Sequence, residues 1–267
     1  MSTSVVVGAG PSGLTTANFL AEHGRVLVVD RLPVVGGESG WRSPDVRRLV
    51  DVAQERGVSF RLGVTALRWE PGRLLVAGPG ACEWLETDQL FYAGGIRPGT
   101  ATDLGLVGDR PGGVLPATVA DHLLETGVPM WRRPVIIGRG RWRDRLIQHL
   151  SKYGTCAREV LMDDEKTSSC GSATMCTGPI EVRGGDRVTS IVVTTGSEHV
   201  VIRCDAVLLA GRPQPNRNVE GAVLDSSPGV SFVQPRKGIT ATDREAEALK
   251  ICQTWHSRVP EREEISR

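Results

Sequence analysis

The sequence predicts an α/β protein built from two similar three-layer (ββα) units, with the second inserted in the first. One design occurs twice along the chain: a short apolar strand, a glycine-rich turn, a helix and a second strand. Each copy continues into a small antiparallel meander and a closing strand that ends in Ala-Gly. The 32 glycines and an aromatic content of only 4% fit such a turn-rich protein. The repetition indicates an internal duplication of one structural unit.

The bulk composition excludes several classes of function. The 267 residues carry a formal net charge of +1, which gives no electrostatic basis for binding nucleic acid or an anionic membrane surface. No apolar run approaches the length of a membrane span, and we recognise no secretion signal. The six cysteines are irregularly spaced, so we expect reduced thiols and a cytoplasmic protein.

The first copy of the design occupies residues 4–37. A β-branched run leads into Gly8-Ala-Gly10-Pro-Ser-Gly13, a helix follows, and Asp30 ends the next strand. Gly8 permits the tight turn, Gly10 lets a pyrophosphate approach the backbone, and Gly13 lets the helix pack closely on the strand. The helix N-terminus offers N–H groups and a positive dipole end to phosphates, and the Asp30 carboxylate can accept hydrogen bonds from a ribose diol. The pattern therefore predicts a Rossmann-like unit that binds an adenine dinucleotide.

Hydrophobic periodicity and turn residues place the elements of both copies. For the first copy they predict strands over 5–7, 25–30, 58–62 and 88–92, helices over 12–23 and 44–56, and a meander over 67–85. For the second they predict helices over 117–126 and 143–153, strands over 134–138, 157–162 and 205–211, and a meander over 180–204. They also predict a loop over 100–113, a strand over 229–233 and a C-terminal helix over 242–255.

These motifs resemble a known family. The Gly8-x-Gly10-x-x-Gly13 turn with Asp30 and the run Ala-Gly-Gly-Ile-Arg-Pro at 93–98 resemble the FAD/NAD-linked pyridine-nucleotide oxidoreductases, over about residues 4–255. The run 109–118 resembles the linker of the flavin subunits of multi-subunit amino-acid and amine dehydrogenases, such as hydrogen cyanide synthase, opine oxidase, sarcosine oxidase and proline dehydrogenase. The resemblance implies two Rossmann-like dinucleotide-binding domains.

The implied FAD-binding domain is split over 1–103 and 217–267, and the implied second domain, a degenerate NAD-type domain, spans 104–216. The residues implied to contact FAD are Gly8, Gly10, Pro11, Ser12, Gly13, Asp30, Arg31, Gly37, Glu38, Val64, Ala93 and Gly94. Among them, Asp30 would bind the adenosine ribose and Val64 would meet the adenine through its backbone. NAD or another adenine nucleotide is implied at the second domain. No catalytic residue and no metal ligand is implied.

The chain departs from the family pattern in three places. The family's C-terminal Gly-Asp is missing, because the strand over 229–233 runs into Gln-Pro-Arg-Lys at 234–237. A lost charge-assisted hydrogen bond is worth roughly 1.5–3 kcal/mol, so FAD would bind more weakly. In the second glycine turn, Gly138-Arg-Gly140-Arg-Trp-Arg143, an arginine takes the third small position and would hinder helix packing. The segment after Asn216 is also short.

Other clusters leave alternatives open. Six arginines between 132 and 145 form either an anionic pocket for a nucleotide phosphate or a solvated face that pairs with an acidic partner. Asp163-Asp164 at a strand end would favour NADH over NADPH. Cys170 and Cys176 are a redox pair, a metal site or unconnected thiols, and we expect the last because their spacing matches neither a zinc site nor a thioredoxin-like dithiol.

Three functional hypotheses follow. The first is an FAD-binding subunit of a heteromeric oxidoreductase that acts on an amino acid or amine, with hydride passing to the flavin and electrons passing to a partner subunit. The second is a non-catalytic nucleotide-binding or assembly subunit on the same fold. The third is a stand-alone NADH-dependent flavin reductase, which the altered second turn disfavours. The expected partners are other subunits of an oxidoreductase complex and a small-molecule substrate.

Overall fold

The computed structural model of the protein describes residues 2–162, 173–216, 229–233 and 241–257. Asp163, Asp164, Cys170 and the run 234–237 lie outside the described residues. The helices are α1 Pro11–Leu20, α2 Pro44–Glu55, α3 Ala117–Glu125, α4 Arg141–Lys152 and α5 Ala241–His256, with a 3-10 turn at Gly37–Ser39. The strands are β1 Ser2–Val7, β2 Gly24–Asp30, β3 Ser59–Leu62, β4 Thr65–Glu70, β5 Arg73–Gly78, β6 Ala81–Glu86, β7 Gln89–Tyr92, β8 Ile96–Arg97, β9 Leu106–Gly108, β10 Val114–Pro116, β11 Pro134–Gly138, β12 Arg158–Met162, β13 Thr174–Cys176, β14 Ile180–Gly184, β15 Val188–Thr195, β16 Glu198–Arg203, β17 Ala206–Ala210, β18 Gln214–Pro215 and β19 Val230–Phe232.

The chain divides into two compact units. The first unit joins Met1–Ile96 to Pro215–Arg267, and the second unit is the continuous segment Arg97–Gln214. The predicted α/β fold class, with one unit inserted in another, is therefore confirmed. Which cofactor each unit binds stays a prediction.

The first unit is a three-layer sandwich. Its central sheet is parallel throughout, in the order β19-β7-β1-β2-β3, and β4-β5-β6 form a separate antiparallel meander. Successive residues of β1 face opposite layers, since side chains alternate along a strand. Val6 packs with Ala17 of α1, whereas Val5 packs with Trp69 and Leu74 of the meander. A strand covered on both faces must be apolar throughout, which explains the β-branched run in the sequence.

The second unit repeats this arrangement. Its parallel sheet has the order β10-β17-β11-β12-β13, and β16-β15-β14-β9 form the meander layer, in which β9 lies parallel to β14. Ile137 of β11 packs against Ile180 and Ile191 of the meander. Trp142, which is 2% exposed, and Leu146 anchor α4. Among the described helices we find no membrane-spanning segment, because none combines the required length with the required hydrophobicity.

Some local predictions were wrong. The segment predicted as a loop over 100–113 contains β9, and β13 forms where no strand was predicted. Helix α4 begins at Arg141, one half-turn earlier than the pattern predicted, and α1 ends at Leu20, so His23 lies in the turn beyond it. Strands of three residues depend on partners distant in sequence, which a local pattern does not reveal.

Candidate functional site

The glycine turn between β1 and α1 is built by close backbone contacts. Gly8 has φ +110°, and a Cβ there would lie 2.2 Å from the carbonyl oxygen of Ala93. A Cβ on Gly13 would lie 1.8 Å from the carbonyl oxygen of Gly8. A Cβ on Gly10, in contrast, would meet nothing within 4 Å. Packing therefore requires Gly8 and Gly13, whereas Gly10 borders open space.

The N-terminus of α1 points its amides into this space. Gly10 is the N-cap residue, Pro11 occupies the first turn, and no side chain caps the helix. The first amides of a helix have no intrahelical acceptor, and the aligned peptide dipoles place partial positive charge at this end. Pro11, Ser12 and Gly13 are themselves buried, so the turn is held rigidly. Such an end can bind a phosphate through backbone N–H groups.

Asp30 places its carboxylate against the same turn. Its Oδ2 accepts a hydrogen bond from the Ala9 amide at 2.6 Å, and its Oδ1 accepts one from the Leu32 amide at 2.8 Å. A carboxylate oxygen has about two acceptor sites, so each oxygen keeps room for another donor. Two oxygens held in a fixed orientation beside the turn suit the two hydroxyls of a ribose.

The loop after β2 lies on the turn from the other side. The Gly36 amide donates to the Ala9 carbonyl at 2.8 Å, and a Cβ on Gly37 would lie 3.5 Å from the Cα of Gly10. Glu38 follows directly and accepts a hydrogen bond from Arg244 of α5, with Nη2 and Oε2 2.7 Å apart. The Arg244 side chain is only 5% exposed. The sequence analysis missed Arg244, and no local signal could have found it because the pair is 206 positions apart.

The remaining predicted residues lie around this centre in the first unit. Arg31 is exposed beside Asp30. The Val64 amide donates to the Asp30 carbonyl at 2.9 Å, so a backbone contact with adenine would have to use the Val64 carbonyl. Ala93 meets Gly8 as described, and the Gly94 carbonyl accepts a hydrogen bond from the Asn216 side chain at 2.9 Å.

The twelve predicted residues thus belong to one unit, and the contacts described gather Gly8, Gly10, Gly13, Asp30, Gly37, Glu38 and Ala93 around the turn. Asn216 was not among the predicted site residues, although its backbone amide also donates to the Gly95 carbonyl. Their contact with a cofactor stays a prediction.

The second glycine turn preserves one contact of the first and changes another. Gly138 has φ +115°, and a Cβ there would lie 2.3 Å from the Ala210 carbonyl oxygen, as at Gly8 and Ala93. At the third position, Arg143 forms an ion pair with Glu159 of β12, its Nε and the Oε2 being 2.8 Å apart. Burial would lower the pKa of Arg143, but its hydrogen bonds to Glu159 and Asp144 outweigh this and raise the pKa. An ion pair between helix and strand replaces the close packing that a glycine allows.

Two further clusters of charged residues lie in the second unit. The backbone amides of Arg132 and Arg133 both donate to the Asp205 carboxylate, at 2.8 and 2.9 Å. Asp121 lies with Glu125 and His149 in a group close enough to hold a metal ion. An arginine, Arg145, already bridges the two carboxylates of that group at 2.6 and 2.7 Å. Burial raises the pKa of Asp121, opposed by the charge of Arg145. This arrangement is an ion-pair network between α3 and α4.

The described cysteines, at 82, 156, 176, 204 and 252, are free thiols. Cys176 is buried, and its Sγ donates to the Gly178 carbonyl at 2.9 Å. Because Cys170 lies outside the described residues, the proposed alternatives for the pair of Cys170 and Cys176 stay untested.

Comparison with known proteins agrees with this fold. The NAD(P)-binding Rossmann-like domain family matches residues 6–70, which include the glycine turn and Asp30. No curated protein matches the sequence. The structure is similar to that of the L-proline dehydrogenase from P. horikoshii, with a TM-score of 0.64 and 14% identity over 96% of this chain and 56% of that one.

Two other solved structures show the same likeness. The thioredoxin reductase from Lactococcus lactis has a TM-score of 0.63 and 16% identity over 96% of this chain and 98% of that one. The water-forming NADH oxidase from Lactobacillus brevis, bound to NADH, has a TM-score of 0.62 and 15% identity over 95% of this chain and 69% of that one. At such identities the likeness establishes the fold. The chain spans little more than half of the proline dehydrogenase chain.

Proposed function

We propose that the protein is the FAD-binding subunit of a heteromeric oxidoreductase that acts on an amino acid or amine. The observation that carries the proposal is the glycine turn of the first unit, where Gly10 borders open space, the N-terminus of α1 faces it and Asp30 lies beside it. The similar solved structures include an L-proline dehydrogenase and an NADH oxidase bound to NADH, which supports an oxidoreductase. Substrate hydride would pass to the flavin, and a partner subunit would receive the electrons.

The residues present fit an adenine dinucleotide. The amides at the start of α1 would bind the diphosphate, and the open space at Gly10 lets it approach the backbone. The Asp30 carboxylate would accept hydrogen bonds from the adenosine ribose, with Arg31 beside it. The Val64 carbonyl would meet the adenine, and Gly37 with Glu38 would line the approach to the ribitol. A bound flavin supplies the hydride chemistry, so the chain needs only to bind and orient it.

The second unit would bind NAD or another adenine nucleotide in this proposal. Gly138 forms the same contact with a closing strand as Gly8 does, which supports a related site. The ion pair of Arg143 and Glu159 would then require a different approach of the phosphates from that in the first unit.

The same ion pair favours a second candidate function, a nucleotide-binding assembly subunit without catalysis. Arg143 stands where the duplicated design has a small residue, and its ion pair with Glu159 replaces the close contact that Gly13 makes in the first unit. In that case the nucleotide of the first unit would stabilise the subunit, and the chemistry would belong to the partner.

The experiment is to purify the full chain, record its visible absorption spectrum and identify any nucleotide released by heat. A yellow protein that releases FAD supports the first candidate, and a colourless protein that releases ADP or ATP supports the second. The control is Gly10→Trp, whose indole would fill the open space and abolish binding. A wild-type chain that takes up neither FAD nor ADP would refute both candidates. Co-purification of another subunit would test the heteromeric part of the proposal.

A further inference from the structure

A partly buried ion pair lies beside the glycine turn of the first unit. Arg244 is 5% exposed and Glu38 is 20% exposed, and their Nη2 and Oε2 atoms are 2.7 Å apart. The loop that carries Glu38 is fixed to the turn, because the Gly36 amide donates to the Ala9 carbonyl at 2.8 Å. Glu38 thus directly follows Gly37, the residue at which a Cβ would lie 3.5 Å from the Cα of Gly10.

The negative charge of a carboxylate in this place is unfavourable for binding of the proposed ligand. The diphosphate of an adenine nucleotide is anionic, and a carboxylate on the loop that packs on the glycine turn would repel it. Arg244 cancels that repulsion, because a guanidinium is always charged and a nearly buried pair is little screened by salt. Stability alone does not explain the pair, since an apolar pair of similar size is often as stable as a buried ion pair.

We propose that Arg244 is a positioning residue of the diphosphate site, which neutralises Glu38 and holds its carboxylate away from the anion. The inference rests on the proposed function, since it requires a diphosphate ligand at the first glycine turn. Arg244 belongs to α5, whose Cys252 and Ala248 are buried and whose Cys252 thiol lies 3.7 Å from the Thr16 hydroxyl of α1. The C-terminal helix therefore sets the charge of a site that β1, α1 and β2 build.

The two partners should have opposite effects on ligand affinity. Arg244→Gln removes the guanidinium charge beside Glu38 and should weaken ADP binding about five- to tenfold at low salt, less at high salt. Glu38→Gln removes the repelling charge and makes guanidinium donors available to a phosphate, so ADP should bind equally well or more tightly. The double variant should bind nearly as the wild type does. If the ion pair served only to hold α5 in place, both single variants would bind ADP more weakly.

The test is calorimetric titration of the full chain with ADP at low and high salt. Arg48→Gln is the matched control, because Arg48 of α2 forms a 2.7 Å ion pair with Glu245, the neighbour of Arg244 in α5, but is 55% exposed and does not bind Glu38 through that pair. Its ADP affinity should equal that of the wild type. If Arg244→Gln does not fold, Glu38→Gln and the double variant retain the test, since the double variant buries no charge.

Equal weakening in the two single variants, or wild-type affinity in Arg244→Gln, would overturn the inference while leaving the proposed function intact. If only Glu38→Gln and the double variant can be measured, weaker ADP binding by Glu38→Gln would overturn the inference. A wild-type chain that binds neither ADP nor FAD would instead overturn the proposed function, and this inference with it.

Discussion

Replacing Gly13 by alanine should destabilise the first unit, whereas the same change at Gly10 should spare the fold and impair binding. The added Cβ at Gly13 would lie 1.8 Å from the carbonyl oxygen and 2.9 Å from the carbonyl carbon of Gly8. Both are backbone atoms, so α1 would have to move as a body. Overpacking of this kind costs about 1–3 kcal/mol, and we expect about 3 kcal/mol because α1 is buried along nearly its whole length.

Gly10 provides the matched control within the same turn. Its φ is −80°, which any residue adopts, and a Cβ there would meet nothing within 4 Å. Because alanine is a poorer N-cap than glycine, we expect replacement of Gly10 by alanine to lower the free energy of unfolding by at most about 1 kcal/mol, well below the loss at Gly13. The methyl group would occupy space needed by the diphosphate, so ADP affinity should fall at least about tenfold, which corresponds to roughly 1.4 kcal/mol.

Urea unfolding followed by circular dichroism measures the stability of both variants, and titration with ADP measures binding by Gly10→Ala. A loss of stability in Gly10→Ala as large as that in Gly13→Ala would contradict the assigned packing. Wild-type ADP affinity in Gly10→Ala would show that the ligand does not approach this part of the backbone.

Three further predictions concern the second unit. Burial, with a smaller effect from a neighbouring carboxylate, raises the pKa of Cys204 to about 11. Maleimide at neutral pH should therefore label the exposed cysteines and spare Cys204, as peptide mass spectrometry would show. Labelling of Cys204 in the folded chain would contradict its burial. The Thr100 amide, with further hydrogen bonds, lowers the pKa of Asp103 to about 2, so its stabilisation is present above about pH 4 and is lost as the pH falls through 2. Asp103→Asn should therefore lower the free energy of unfolding at pH 7 by less than about 1 kcal/mol, because the side chain is 35% exposed, and in urea unfolding the difference from the wild type should shrink toward pH 2. A difference independent of pH would refute this. Glu159→Gln removes the carboxylate that joins Arg143 to β12 but leaves Asp144 beside the guanidinium, so it should cost about 1–3 kcal/mol in urea unfolding. An unchanged midpoint would show that the ion pair does not hold α4 to β12.

The features that could be predicted from the sequence are those encoded over a few consecutive residues. The glycine turn with Asp30, the two parallel sheets and both meanders each have a local pattern of apolar and turn residues. The positions of Gly8 and Gly13 follow from backbone contacts that only glycine permits, so the motif identifies them directly.

The missed features depend on residues that meet only in the folded chain. Arg244 reads as one charged residue of a polar helix until α5 packs on α1 and its guanidinium reaches Glu38. Strand β9 has three residues and forms because β14 lies beside it. In the sequence Asn216 only marks the end of a segment, although in the structure its side chain donates a hydrogen bond to the Gly94 carbonyl. Pairing of this kind leaves no periodic signal in the sequence.

The split of the first unit has a consequence for the order of events during synthesis. The second unit is continuous, from Arg97 to Gln214, so its described strands are synthesised before β19 and α5. Domains fold as units as they emerge. We therefore expect the inner unit to fold first, while the N-terminal half of the outer unit waits with the edge of β7 and one side of α1 uncovered. That interval is when the nascent chain is most exposed to misassociation, and it lasts until β19 pairs with β7 and α5 packs on α1.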